Sequence, residues 1–227
     1  MEKIMIKHIQ KKGKRIDIDF DITDGLKKYF LPKQHFFIEY TEDIERVPDS
    51  IAIIPLLANL LPFSWLTNSI VWVNELDKNF WNMIPYLKRA FSEMYHYNFQ
   101  TEGELIVAKL MDNTYSTENK YITLFTGGVD AMTTYLRHEE KKPILFNVNG
   151  WYTNDITEDK VYDSDKKAIG NFADKEKIDF CLVRSNFAKL INANSMNKEF
   201  AKKFKASWWF GFQHSLAFLG AAAILGY

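Results

Sequence analysis

Residues 121–140 read YITLFTGGVDAMTTYLRHEE, an apolar run followed by two glycines, an aspartate and an amphipathic run. The apolar residues before Gly127 predict a short strand, and the apolar spacing after Val129 predicts a helix. Glycine tolerates a positive φ and lets another group come close to the backbone. The stretch therefore predicts a strand, a tight turn and a helix, which is the repeating unit of α/β sheets.

The rest of the C-terminal half continues this rhythm. PILFNV (143–148) and DFCLVRSN (179–186) predict two further strands, and KKAIGNFADKEK (166–177) predicts the helix between them. Short apolar strands that alternate with helices are typical of parallel strands covered on both faces. We therefore expect an α/β fold with a parallel sheet. The chain then ends in a long apolar stretch, residues 206–227, which predicts a final helix.

The N-terminal half has a different pattern. RIDIDFDI (15–22) and HFFIEY (35–40) alternate apolar and polar residues, as half-buried strands do. Residues 49–66 are almost continuously apolar, and they predict a buried helix with a bent end because Pro55 and Pro62 interrupt it. SIVWVNELD (69–77) predicts a strand.

Residues 79–97 predict an amphipathic helix, and the polar segment DNTYSTENK (112–120) has the composition of a boundary. The expected organisation is an N-terminal β-rich and helical region, 1–115, followed by an α/β domain, 116–227.

Composition and charge argue against nucleic-acid binding, a disulfide, a multi-cysteine metal site and a signal peptide. The 29 basic and 29 acidic residues balance, so no basic surface for nucleic acid is expected. Cys181 is the single cysteine, which rules out an internal disulfide and a multi-cysteine metal site. The N-terminus has no apolar core of a signal peptide, and a cytoplasmic protein is expected.

Two interpretations of the glycine turn follow from its residues. The turn can bind a phosphate, because the free N–H groups and positive dipole end of the following helix favour an anion. Thr126 would then donate its hydroxyl, and Asp130 would hold a magnesium ion that bridges phosphates. Alternatively, it is an ordinary turn with Asp130 as the helix cap. The sequence matches neither a Walker A loop nor GxGxxG.

TGGVDA (126–131) resembles the SGGxDS signature of the PP-loop ATP pyrophosphatases, a superfamily with a Rossmann-like sheet. The order of the later segments, which include NVNGW, FCLVRSNF and WFGFQHSLAFLGAAAIL, resembles the 7-cyano-7-deazaguanine synthase-like branch. The resemblance covers about residues 121–227. It implies ATP and Mg²⁺ as cofactors and an AMP-forming ligase or amidotransferase that adenylates a small molecule or modified base.

The resemblance also implies roles for particular residues. The pyrophosphate site would be formed by Thr126, Gly127, Gly128, Val129 and Asp130, with Asp130 as the catalytic and magnesium-binding carboxylate. Ala131 stands where the signature has its last serine, which removes a hydroxyl donor that Thr133 or Thr134 would have to replace.

The ends of the next two strands would complete the site. In such a fold, residues 147–151 face the adenosine, with Asn149 and Gly150 in contact with it. Arg184, Ser185 and Asn186 close the third strand at the same rim. The alternatives are a plain turn after the second strand and a surface ion pair for Arg184.

Other features depart from the deazaguanine synthases. Their zinc-binding cysteines are missing, and the five histidines show no close pairing that would suit a metal. Gln213 and His214 interrupt the last apolar stretch, so a buried helix is favoured over a membrane anchor. Both side chains are candidates to face the site, and the alternative for His214 is a buried histidine with its own hydrogen-bond partners. The chain stops directly after this helix, as a fragment, a shortened relative or one half of a split protein would.

These departures keep a second function open, which is a non-catalytic nucleotide-binding or scaffolding subunit. In either case, we expect a second copy or a partner subunit to cover the apolar surface of the last helix and a sheet edge.

Overall fold

The computed structural model describes residues 1–94, 102–115, 120–150, 159–205 and 207–227. It contains a sheet of eight strands in the order β5-β4-β1-β2-β3-β8-β7-β6. The strands are β1 Glu2–Lys12, β2 Arg15–Ile22, β3 His35–Tyr40, β4 Ser69–Asp77, β5 Glu104–Met111, β6 Ile122–Leu124, β7 Ile144–Asn149 and β8 Phe180–Ser185.

The strands run in both directions. Two sets are internally parallel, namely β1 with β4 and β5, and β6 with β7 and β8. The strands between them are antiparallel, β1 to β2, β2 to β3 and β3 to β8. The predicted α/β fold is confirmed, although the sheet is mixed rather than parallel throughout. Because an odd number of reversals separates the two parallel sets, their carboxyl ends lie at opposite ends of the sheet.

Seven α-helices are described around the sheet. They are α1 Asp49–Ala52, α2 Ile54–Thr67, α3 Lys78–Met94, α4 Val129–Arg137, α5 Asp159–Glu176, α6 Ala193–Phe204 and α7 His214–Ala222. Short 3₁₀ segments lie at Asp24–Tyr29, Glu139–Lys141, Phe187–Lys189 and Ala223–Gly226, and a π-helical turn occupies Trp209–Gln213. Among the described residues, no helix combines the length and the apolar character needed to cross a membrane.

The two halves of the sheet are covered differently. In β2 the buried residues alternate with solvent-facing ones, whereas Leu145 and Phe146 of β7 are successive residues that are both fully buried. One core lies between the sheet and helices such as α2 and α7, and a smaller core places α4 and α5 over Leu145 and Leu182. The C-terminal strands are therefore buried on both faces, which is why their sequences are continuously apolar.

Most predicted elements are confirmed, with three exceptions. The sequence pattern predicts neither β5 nor α6, because ELIVAKLM, an edge strand without a fully buried residue, lacks strict alternation of apolar and polar residues, and α6 is a polar helix. The last helix is not continuous, since the π-helical turn precedes α7. The break in the long apolar helix falls at Ile53, between α1 and α2, while Pro62 lies inside α2.

Both predicted regions contribute to the one sheet and to its larger core. The predicted boundary at residue 115 falls between β5 and β6, which are the two edge strands.

Helix α7 crosses α2 at a glycine. A Cβ atom added to Gly220 would lie 2.1 Å from the Cβ of Ala58, a separation that packed atoms do not adopt. The two helices can approach this closely only because Gly220 has no side chain.

We predict that Gly220→Ala destabilises the protein by about 1–3 kcal/mol, which is the usual cost of overpacking a core. The direction of the stability change is informative, because a glycine-to-alanine substitution inside a helix otherwise stabilises a protein by about 1 kcal/mol. Urea unfolding of the wild type, Gly220→Ala, Ala58→Gly and the double variant measures the effect. The double variant should show a favourable coupling, and a Gly220→Ala protein more stable than the wild type would contradict the packing.

Candidate functional site

The glycine turn joins β6 to α4 as predicted. Pairing with β7 continues one residue past β6, where the Phe125 N–H donates to the Phe146 carbonyl at 2.8 Å. Gly127 then adopts φ +75°, and Gly128 returns to extended backbone at φ −73° and ψ 169°. The helix begins at Val129.

The backbone conformation requires glycine at position 127 but not at position 128. Gly127 needs to be glycine because its φ lies in the left-handed region, although a Cβ there would meet nothing within 4 Å. Gly128 has a conformation that any residue adopts, and its Cβ would meet only the Thr126 Oγ1 at 3.5 Å, an ordinary contact. The fold therefore explains Gly127 but not Gly128, and close approach of another molecule is a remaining reason for the second glycine.

The turn presents its donors to solvent. Residues 126–130 are all exposed, and no side chain caps the helix at Gly128. The only side-chain hydrogen bond described at this N-terminus is a long one of 3.4 Å, from the Gly128 N–H to the Thr126 Oγ1. The N–H groups of the first helical turn thus remain available to an anion.

Asp130 lies in the first turn of α4 and is exposed. Its carboxylate does not act as the helix cap, so the alternative interpretation of Asp130 as the capping residue is not supported. Within the described part of the chain, this carboxylate has no hydrogen-bond or ion-pair partner. It is therefore free to accept a cation.

The carboxyl ends of β7 and β8 lie beside the turn. Asn147 is buried, and its side-chain amide donates to the Phe125 carbonyl at 3.0 Å, which fixes the start of the turn to β7. Asn149 is the register partner of Arg184, and its amide lies 3.4 Å from Asp165. Gly150 has φ +86°. Trp151 lies outside the described residues.

β8 is two strands away from β6, or about 10 Å at the usual strand spacing. Arg184 pairs with Glu39 of β3 through its Nε and one terminal nitrogen, both at 3.0 Å from Oε2. Its guanidinium also lies 5.5 Å from the centre of the Tyr162 ring. The arginine thus takes part in an ion pair between strands, the alternative that the sequence had left open.

Ser185 and Asn186 are also held by neighbours. Ser185 is fully buried and its hydroxyl accepts from the Phe187 N–H at 3.3 Å. The Asn186 side chain accepts from the Phe37 N–H and donates to the His35 carbonyl, each at 2.8 Å. It therefore serves as a hydrogen-bonded clamp between β8 and β3.

Other candidates from the sequence lie elsewhere. Gln213 is buried and donates to Asn59 of α2 at 2.7 Å, so it belongs to a helix interface. His214 is half-buried against the rings of Trp209 and Phe218. Burial raises the pKa of the Cys181 thiol, which leaves it protonated and inert. No group of three or more metal-binding side chains occurs among the described residues.

Comparisons with protein-family models, with curated proteins and with solved structures found no match to this chain.

We predict opposite outcomes for alanine at the two glycines. Gly127→Ala should destabilise the protein by about 1–2 kcal/mol, since a Cβ is unfavourable in the left-handed region. Gly128→Ala should change the free energy of unfolding by less than about 0.5 kcal/mol, because its backbone and surroundings accept a methyl group. Chemical denaturation of the two variants measures this, and equal destabilisation by both would mean that the fold itself requires Gly128.

We also predict that Asn186→Ala lowers stability by about 1–3 kcal/mol, because it leaves a backbone donor and a backbone acceptor of β3 without partners. Asn171→Ala is the matched control, since Asn171 is exposed on α5 and alanine favours helix. Thermal and urea unfolding would compare the two. An Asn186→Ala protein as stable as the control would show that the clamp contributes nothing.

Proposed function

We propose that this chain is a PP-loop-type ATP-binding protein and that it cleaves ATP between the α- and β-phosphates to adenylate a small molecule or modified base. In this proposal, β6, β7 and β8 with α4 and α5 form the Rossmann-like half that carries the nucleotide. The supporting observation is the exposed turn at Gly127 and Gly128, which leads into an uncapped helix at the carboxyl end of parallel strands.

Phosphate binding would use the backbone of the turn. The first-turn N–H groups of α4 point towards its N-terminus, where the helix dipole adds a partial positive charge. Gly128 allows a phosphate oxygen to approach without meeting a side chain. The Thr126 hydroxyl, which is 3.4 Å from the Gly128 N–H, can turn to donate to the same anion.

Magnesium would bind through Asp130. Mg²⁺ in nucleotide sites commonly takes one or two carboxylates and completes its shell with phosphate oxygens and water. A single exposed carboxylate beside the phosphate-binding turn fits that pattern. When bound, the ion would neutralise charge that develops on the departing pyrophosphate.

The adenosine would lie over the ends of β7 and β8. Asn149 and Gly150 would contact it, and Arg184, Ser185 and Asn186 would form the outer rim. Because Arg184 already pairs with Glu39, it would reach a ligand only if that ion pair is shared or exchanged. We assign Asn186 to the shape of the rim rather than to a direct contact, since its amide is occupied by β3.

A second function, a non-catalytic nucleotide-binding or scaffolding subunit, is favoured by one observation. Ala131 has no hydroxyl, and Thr134, one turn further on, donates its hydroxyl to the Asp130 carbonyl at 2.9 Å. Thr134 therefore does not replace the missing serine in this structure. A lost hydrogen bond to a charged phosphate costs about 1.5–3 kcal/mol. Binding would survive this loss more readily than catalysis.

Association with a second copy or a partner subunit belongs to the same proposal. β6 is an edge strand of the sheet, and it exposes Ile122 by 36% and Leu124 by 45%, next to an 83% exposed Val129. Edge strands with apolar side chains favour pairing with another chain. α7 packs within the chain against α2 but exposes Leu219 by 62%, so a partner contact on the last helix stays part of this proposal.

We predict that the protein binds Mg-ATP and that Gly128→Val and Asp130→Ala weaken binding about tenfold or more, the effect of losing one charge-assisted interaction. Gly128→Val keeps an allowed backbone but fills the approach to the turn. Isothermal titration calorimetry with ATP, and with AMP as a competitor, measures the affinities. The matched control is Asp174→Ala, an exposed carboxylate near the C-terminal end of α5, beside the start of β7 and therefore at the opposite end of the strands from the turn.

Pyrophosphate release then separates the two functions. Release of pyrophosphate and AMP in the presence of a substrate extract indicates the enzyme, and binding without release indicates the subunit. The absence of binding at millimolar ATP, or equal binding by the wild type and both variants, would contradict the nucleotide site.

A further inference from the structure

A cavity lies where β1 and β4 separate. The two parallel strands pair from Glu2 and Ser69 as far as Met5 and Trp72, and no register pair follows. Beyond that point β1 continues beside β2, and β4 continues beside β5. The sheet therefore forks between two strands that both run on for several residues.

An irregularity in β1 falls at the fork. The register between β1 and β2 shifts between Ile6 and His8, so that one extra residue, Lys7, is accommodated there. Such bulges bend a strand and re-aim its side chains. Here the bulge accompanies the divergence of β1 from β4.

The fork encloses a cavity of about 420 Å³. It is lined by residues 6–9 of β1, residues 73–75 of β4, Asp49 of α1, and Ile53 at the junction of α1 and α2. This volume is in the range of small-molecule sites. The cavity also lies towards the carboxyl ends of parallel strands, where α/β sheets bind ligands. These are the carboxyl ends opposite to those beside the glycine turn, so this cavity is separate from the proposed nucleotide site.

Some charged side chains that line the cavity have an ion-pair partner, and one does not. Lys7 pairs with Asp21 at 3.0 Å, and Lys11 pairs with Asp49 at 2.6 Å. Glu75 is half-buried and has no hydrogen bond or ion pair in the described part of the chain, although the exposed Lys109 is its register partner on β5. The unsatisfied charge of this cavity is therefore a carboxylate.

The other lining groups suit a ligand with an apolar body. Ile6, Ile53 and Val73 are buried and give the cavity a β-branched apolar wall. His8 and Asn74 are exposed polar residues at its border. A half-buried carboxylate above an apolar wall attracts a cation that also carries hydrocarbon, since charge-assisted hydrogen bonds strengthen away from bulk water.

The helical wall is held in place by a polar network. Asp77 is 1% exposed and accepts from the Phe80 N–H at 2.8 Å and from the Asn113 amide at 2.9 Å. Asn113 also donates to Ser50, the neighbour of Asp49, at 3.1 Å. Burial, together with a hydrogen bond to Asp77, raises the pKa of Tyr115 to about 12, so its phenol stays a donor. The network joins α1 to the ends of β4 and β5, and a site held this way needs little ordering on binding.

We propose that the fork between β1 and β4 is a binding site for a small organic cation, an amine or guanidinium with a short apolar body, and that Glu75 is its counter-ion. The site does not depend on nucleotide binding at the glycine turn.

The test uses four cations, which are n-butylamine, cyclohexylmethylamine, benzylamine and agmatine. Cyclohexylmethanol is the neutral counterpart of cyclohexylmethylamine. Backbone amide NMR of the full chain would be followed at about 10 mM of each probe, which detects dissociation constants in the millimolar range. We expect at least one amine to shift the amides of residues 6–9 and 73–75, and cyclohexylmethanol to leave them unchanged.

Two variants locate the interaction. Glu75→Gln keeps the shape but removes the charge, and it should weaken amine binding about ten- to a hundredfold. Asn74→Trp should block the border of the cavity without touching the core, because Asn74 is exposed. The matched control is Glu140→Gln. Glu140 is an exposed carboxylate in the 3₁₀ segment before β7, in the other half of the sheet, and this variant should bind the amines as the wild type does.

Three results would overturn the proposal. They are no shift with any of the four amines, equal shifts with the amine and the alcohol, or undiminished amine binding by Glu75→Gln. The Asn74→Trp variant keeps the test decisive if Glu75→Gln fails to fold, since undiminished binding by that variant would place the amines elsewhere.

Discussion

The antiparallel pairing of β3 with β8 is the contact on which the rest of the molecule depends. Only three register pairs join the strands, from Ile38 with Ser185 to Tyr40 with Val183. Further bonds extend the joint at both ends. The Asn186 amide reaches the β3 backbone on one side, and Thr41 exchanges hydrogen bonds with Leu182 on the other, at 3.0 and 3.2 Å. Without this joint, the chain would form two open sheets with two more exposed edges.

The same joint makes the larger core continuous. Strand residues from both halves, such as Ile38 and Val183, lie under the same layer of helices. Helix α2 comes from the N-terminal half and α7 from the C-terminal end, and they meet at Ala58 and Gly220. The buried Gln213 enters this interface from a π-helical turn, a feature that is frequent at functional sites. Its Oε1 is the buried side-chain oxygen that lacks a partner in the described structure.

The reversal of strand direction across the joint also determines where ligands can bind. Parallel strands offer binding sites beyond their carboxyl ends. Because β1 and β4 run opposite to β6 and β7, one such end lies beside the glycine turn and the other beside the fork at Glu75. A protein with one parallel sheet would have a single such rim, whereas this mixed sheet has two.

The residue pattern alone predicts the elements whose burial is local in origin. The alternation in RIDIDFDI and the continuous apolar runs around Leu145 and Leu182 reflect one or two covered faces. The two glycines between an apolar run and an amphipathic run predict the turn, which Gly127 makes at φ +75°. Long-range contacts set the mixed sheet order, the use of Arg184 and Asn186 to hold β3, and the fork between β1 and β4. The first two depend on contacts between residues more than a hundred positions apart, and the fork depends on β1 and β4 ceasing to pair. Neither cause leaves a periodic signal in the sequence.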